Sequence, residues 1–108
     1  MLGSLKEDVL IALVAAGRHQ PAAVIFDMVN GARSTNGFGG LSFGSVYTTM
    51  ERLVKDKLVS VKFEQAPSGR KQKLFTITAN GKTALERAEA VRNKLRAPMS
   101  ASGGLGFA

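Results

Sequence analysis

Residues 41–85, LSFGSVYTTMERLVKDKLVSVKFEQAPSGRKQKLFTITANGKTAL, decide the fold. Ser42 is a candidate N-cap, and the residues after it separate into two faces when placed at helical spacing. Val46, Met50, Leu53 and Val54 face one way with Tyr47 at the edge, while Ser45, Thr48, Thr49 and Arg52 face the other; this predicts a helix reaching about Lys57. Leu58–Glu64 and Lys73–Thr78 then alternate with period two, and Pro67, Ser68 and Gly69 between them are turn formers. That pattern predicts a β-hairpin with a basic tip. Thr78 is placed to cap a last helix from Ala79 to about Leu95, with Ala84, Leu85, Ala88, Val91 and Leu95 as its apolar stripe and Pro98 as its stop.

Upstream, Ser4 and Glu7 have capping-box spacing, and Leu5, Val9, Ala12, Leu13 and Ala16 recur on one helical face, so a first helix is predicted from Ser4 to Ala16 with Gly17 ending it. Pro21 suits a first helical turn, and Ala22–Asn30 predict a second helix that stops at Gly31. Residues 31–44 hold five of the twelve glycines and predict a loop. Residues 97–108 have no period and few charges, and are expected to be a disordered tail.

Three helices, a hairpin and a closing helix predict an α+β, mostly α, winged helix-turn-helix with a two-stranded β wing and a C-terminal dimerisation helix. The expected organisation is a winged-helix domain over residues 1–78, the dimerisation helix over 79–96 and the tail beyond. Helix four carries more apolar surface than one small domain readily buries, so Leu5, Val9, Ala84, Leu85, Ala88, Val91 and Leu95 are the expected homodimer interface. The alternative use of that stripe is packing against the first helix of the same chain.

The 108 residues carry 15 Lys+Arg against 8 Asp+Glu, a net charge of +7. Residues 1–40 balance three basic against three acidic side chains, residues 41–78 carry seven against three and residues 79–108 five against two. A cationic excess confined to the hairpin and the helices beside it suits a polyanion, and duplex DNA is the expected partner. Ser42, Ser45, Thr48, Thr49 and Arg52 on helix three are the candidate DNA contacts, the short hydroxyls suiting close approach in the major groove and Arg52 suiting a phosphate ahead of a guanine. Ser68, Gly69, Arg70, Lys71 and Lys73 on the wing are the candidate backbone or minor-groove contacts. The wing tip has Glu64 as its one acid nearby in sequence. The rival reading is a winged-helix module whose basic surface meets an acidic protein or RNA.

Other classes find little support. The single His19 lies in a turn without a Cys, Ser or Asp partner at a useful spacing, which argues against catalysis. Asp8, Asp27 and Asp56 fall on separate predicted elements and the chain has no Cys, so neither a metal site nor a cofactor is expected. Gly37-Phe38-Gly39-Gly40-Leu41-Ser42 lacks the last Gly of a dinucleotide fingerprint and follows no strand. The longest apolar run, Val9–Ala16, is too short to span a bilayer, and Glu7 and Asp8 before it oppose a secretion signal, so a cytoplasmic protein is expected.

Residues 2–17 and 41–85 resemble the PadR family of transcriptional regulators. Gly44, Ser45, Val46, Tyr47, Met50, Arg52 and Leu53 match its recognition-helix pattern; Gly69, Arg70, Lys73 and Phe75 match its wing; Ile77, Thr78 and Gly81 match its closing motif. The resemblance, spanning about residues 2–95, implies a dimeric DNA-binding repressor with Tyr47 and the helix-three hydroxyls near DNA. Three features depart from the pattern: His19, Gln20 and Pro21 stand where an aromatic-Gly pair is usual, the loop before helix three is longer and richer in Gly, and Lys57 stands where Gly usually ends that helix. A left-handed residue at Lys57 costs about 1 kcal/mol. Helix four has no aromatic residue, so the drug sensing of some relatives is not carried over and any small-molecule effector is left unassigned.

Overall fold

In the computed structural model, which describes residues 4–35, 37 and 40–101, with side chains to residue 95, the chain runs α1 (Ser4–Ala16), β1 (Gln20–Pro21), α2 (Ala22–Thr35), α3 (Phe43–Lys55), β2 (Val59–Gln65), β3 (Lys71–Ile77) and α4 (Ala79–Ala101). The three strands form one antiparallel sheet in the order β1-β3-β2. The fold is a winged helix, mostly helical. Its core lies where α1, α2 and α3 close over the inner face of the sheet, with Leu10, Leu13, Ile25, Met50, Leu53 and Phe75 fully buried.

The apolar spacing of α1 has the expected outcome, and Gly17 ends it in the left-handed region with φ +73°. Ser4, however, is the first helical residue, and Glu7 is buried against α4 rather than exposed at a helix start: its carboxylate accepts from Arg92. The α3 start is as read, with Ser42 accepting from the Ser45 N–H at 3.1 Å. Its end is a Schellman turn, in which Leu58 N–H donates to the Leu53 carbonyl and Lys57 N–H to that of Val54, at 2.9 and 3.0 Å. Lys57 takes the left-handed conformation, φ 64°, that the motif requires and that Gly would adopt without strain.

Three expectations are corrected. First, the two-stranded wing forms as expected from β2 and β3, but Pro21 does not open a helix: Gln20 and Pro21 add an edge strand paired with Phe75 and Leu74, where the missing proline N–H is tolerated. Second, α2 continues through Gly31 to Thr35, because Gly weakens a helix by only about 1 kcal/mol and α2 is held by Ile25 and Val29 in the core. The glycine-rich loop is correspondingly shorter. Third, α4 runs through Pro98 to Ala101, since a proline removes one helical hydrogen bond without forcing the axis to end. This places 97–101 in a helix, and the rest of the expected tail, 102–108, lies outside the described residues.

The residues of the expected dimer stripe differ in exposure within one chain. Val9, Leu85 and Ala88 are buried in this chain's own core, which is the intramolecular packing of α4 on α1, and Leu5 packs toward α3. Ala84 is half-buried, whereas Val91 and Leu95 remain 43% and 70% exposed.

At the α4 start, Gly81 N–H donates to Thr78 Oγ1 at 3.0 Å, so Thr78 is the cap the sequence offered. Gly81 itself is pressed onto the chain before β2: a Cβ there would stand 2.1 Å from the Leu58 carbonyl oxygen. The Ile77-Thr78-Gly81 motif is therefore a close helix-to-backbone contact.

Candidate nucleic-acid interface

The exposed face of α3 follows from its cap. With Ser42 fixing the first turn, Val46, Met50 and Leu53 enter the core, and Ser45, Thr48 and Arg52 are exposed in a row. Ser42, Ser45, Thr48, Thr49 and Arg52, together with Gly44 and Leu5, line one shallow depression of about 530 Å³. The structure thus brings five of the six candidate helix residues to one concave polar surface at the start of α3.

Thr49 differs from the reading of it as an outward hydroxyl. It is only 9% exposed, and its hydroxyl donates to the Ser45 carbonyl at 2.8 Å. A position one residue along from Thr48 is rotated by about 100°, which carries Thr49 to the boundary of the buried stripe. Its polar atom is satisfied inside the helix.

The wing tip is a three-residue turn. Ala66 N–H donates to the Arg70 carbonyl and Gly69 N–H to that of Ala66, both at 2.8 Å, and Gly69 takes φ +88°. Gln65 Nε2 also donates to the Gly69 carbonyl at 3.1 Å. Ser68, Gly69, Arg70 and Lys71 are all exposed there. Among the described residues, no carboxylate lies within ion-pair distance of Arg52, Arg70 or Lys71. These three cations are uncompensated on the surface.

Lys73 is different. Its ammonium donates to the Glu51 carboxylate and, at 3.3 Å, to the Tyr47 hydroxyl, and it stands 5.4 and 5.5 Å from the Tyr47 and Phe75 ring centres. The hydrogen bond from Lys73 holds the Glu51 carboxyl below its ordinary range, and the same bond raises Lys73 above the ordinary lysine value. Tyr47 is therefore tied to the wing instead of being free toward solvent. It also belongs to a run of rings, Phe26 to Phe43 at 5.6 Å, Phe43 to Tyr47 at 6.0 Å and Tyr47 to Phe75 at 6.2 Å, that joins α2, α3 and β3.

Sequence reasoning missed Glu51. It lies far from the wing in sequence, and the hairpin's nearest acid there, Glu64, is instead paired with Lys62 at 3.7 Å. The one signal was geometric: Glu51 follows Tyr47 by four residues, one helical turn, so whatever met Tyr47 would meet Glu51. Among the described residues no group of His, Asp and Glu is arranged to hold a metal ion, and no helix is long and apolar enough to cross a membrane.

Solved structures share this architecture. A PadR-like transcription factor from Bacteroides fragilis superposes with a TM-score of 0.63 at 20% identity, over 86% of this chain and 85% of that one. A PadR family transcription regulator from Clostridium difficile R20291 gives 0.61 at 19% identity, over 91% and 98%. A winged-helix DNA-binding protein from STIV gives 0.59 at 21% identity, over 82% and 87%. No curated protein sequence matches significantly. The model of the transcriptional regulator PadR-like family matches residues 27–87, which contain α3, the wing and the start of α4. By that match over more than half its length, the chain belongs to the PadR-like family of transcriptional regulators.

Proposed function

We propose that this regulator is a homodimeric, sequence-specific repressor acting on duplex DNA in the cytoplasm, and that it is not an enzyme. The observation that carries the reading is the pairing of a concave hydroxyl-and-Arg surface on α3 with an uncompensated cationic wing tip. Ser45, Thr48 and Arg52 read the major groove, with short hydroxyls allowing close approach. Ser42 and the wing residues Ser68, Gly69, Arg70 and Lys71 follow the backbone or the adjacent minor groove. Tyr47 and Lys73 position the wing against α3, and Thr49 packs at the edge of the core with its hydroxyl on the Ser45 carbonyl.

The dimer is built from what one chain leaves uncovered. Val91 and Leu95 form an exposed apolar ridge on α4, and a groove of about 430 Å³ between α1 and α2 is lined by Ile11, Ala12, Ala15, Met28, Val29 and Ala32 together with the Asp8–Arg33 ion pair. A ridge and a groove on one chain, filled reciprocally by a second copy, make a closed two-fold contact. Two recognition helices so related meet half-sites about 34–36 Å apart.

Fluorescence anisotropy on the duplex upstream of the protein's own gene, with a random duplex as control across a salt series, tests the reading. Selective binding with a steep salt dependence supports it, and Arg70→Ala or Lys71→Ala then lowers the slope by about one. Equal, weak binding to both duplexes points instead to an acidic protein or RNA partner.

A further inference from the structure

One carboxylate interrupts the cationic surface. Glu51 is the only acid on α3, and it faces the wing, where a phosphate-binding surface gains nothing from negative charge. Its partner Lys73 is the wing cation nearest the recognition helix, and its donors are directed at Glu51 and the Tyr47 hydroxyl while the Tyr47 and Phe75 rings flank it. The pair is formally neutral. Arg70 and Lys71, a few residues nearer the tip on the same hairpin, have no such partner among the described residues.

We propose that Glu51 is a positioning residue that acts through Lys73: it holds the ammonium against α3, fixes the wing beside the recognition helix, and withholds one cation from the phosphate backbone. The proposal rests on the DNA-binding reading and adds to it which cation of the face is not spent on DNA.

The physical consequence is a smaller number of phosphates neutralised than the sequence charge implies. Each neutralised phosphate releases condensed counterions and contributes about 0.9 to the slope of log K against log salt. A lysine already bonded to a carboxylate contributes only when that bond is broken, and the rings and the Tyr47 hydroxyl oppose its departure. Duplex affinity is thereby restrained without loss of any groove-reading residue.

The test measures that slope for the full chain, Glu51→Gln, Lys73→Gln and the double variant, on the upstream and random duplexes. Glu51→Gln is expected to bind both duplexes more tightly at low salt and to steepen the slope by about 0.9, which is roughly a 3.5-fold greater loss of affinity between 50 and 200 mM salt. Lys73→Gln lowers the slope by about one in the Glu51→Gln background and by much less in the native background. Should circular dichroism show Glu51→Gln misfolded, Glu51→Ala carries the same expectation. An unchanged slope in a folded, DNA-binding Glu51 variant overturns this proposal alone, as does a Lys73→Gln effect equal in both backgrounds. A native chain that binds neither duplex overturns the DNA-binding reading with it.

Discussion

Replacing glycine by alanine at two helical positions of this protein has opposite consequences. Gly31, within α2, has open space where a Cβ would be added, and Gly31→Ala is expected to stabilise the fold by about 0.5–1 kcal/mol through helix propensity alone. Gly81, in the first turn of α4, gains the same propensity, but its new Cβ stands 2.1 Å from the Leu58 carbonyl oxygen and 2.6 Å from Ile77 Cγ1, where ordinary contact begins at 3.4 Å. The helix start must lift by roughly 1 Å, an overpacking that costs about 3 kcal/mol against a backbone atom. Lifting also strains the bond from Gly81 N–H to Thr78 Oγ1, worth about 1 kcal/mol as a cap, and that from Thr78 N–H to the Leu58 carbonyl. After the propensity gain of about 1 kcal/mol, Gly81→Ala loses about 3 kcal/mol. For a domain of this size the midpoint falls by roughly 12 °C or more. Thermal and urea unfolding followed by circular dichroism, at one protein concentration so that the proposed dimer contributes equally to each, measures both variants. A Gly81→Ala protein as stable as the native one refutes the close-contact account of the Ile77-Thr78-Gly81 motif.

The remaining expectations use the same assays and the duplex titration. Lys57→Gly relieves the left-handed strain at the end of α3 and raises the unfolding midpoint by roughly 4–8 °C, about 1 kcal/mol; a fall in midpoint contradicts it. Thr48→Ala lowers discrimination between upstream and random duplex by about 1–3 kcal/mol with little effect on stability. Thr49→Ala, buried and bonded to Ser45, instead loses about 1 kcal/mol of stability and leaves discrimination intact; an exchange of these two outcomes reverses the assigned roles. Leu95→Asp yields a folded monomer in light scattering, whereas Leu85→Asp, placing a charge in the core, unfolds the chain. A Leu95→Asp dimer moves the interface elsewhere.

What was legible in the sequence was set by neighbours along the chain. The Ser42 cap, the two faces of α3, the hairpin and its Gly69 turn, and the cost at Lys57 all depend on residues within a few positions of one another. What was not legible needed a distant partner. Pro21 reads as a helix start until Leu74 is beside it, and Gly31 reads as a stop until Ile25 and Val29 are in the core. Val9 and Leu85 read as available to a second chain until α4 is laid on α1, and Lys73 reads as a free cation until Glu51 meets it. Thr49 failed for a narrower reason, since it falls at the edge between the two faces, where spacing alone does not assign a side.

The two-residue strand β1 imposes an order on assembly. Each helix and the β2–β3 hairpin close over short stretches of chain, but β1 has no partner until Leu74 and Phe75 exist, and Glu7 has none until Arg92 does. Contacts between the two ends of a chain close the longest loops and so carry the largest closure entropy. During synthesis the recognition helix therefore emerges well before the strand and the helix that hold it in place. Chains cut short ahead of Phe75 lack the core ring that Tyr47 meets edge-on, so α3 stands without its β3 support.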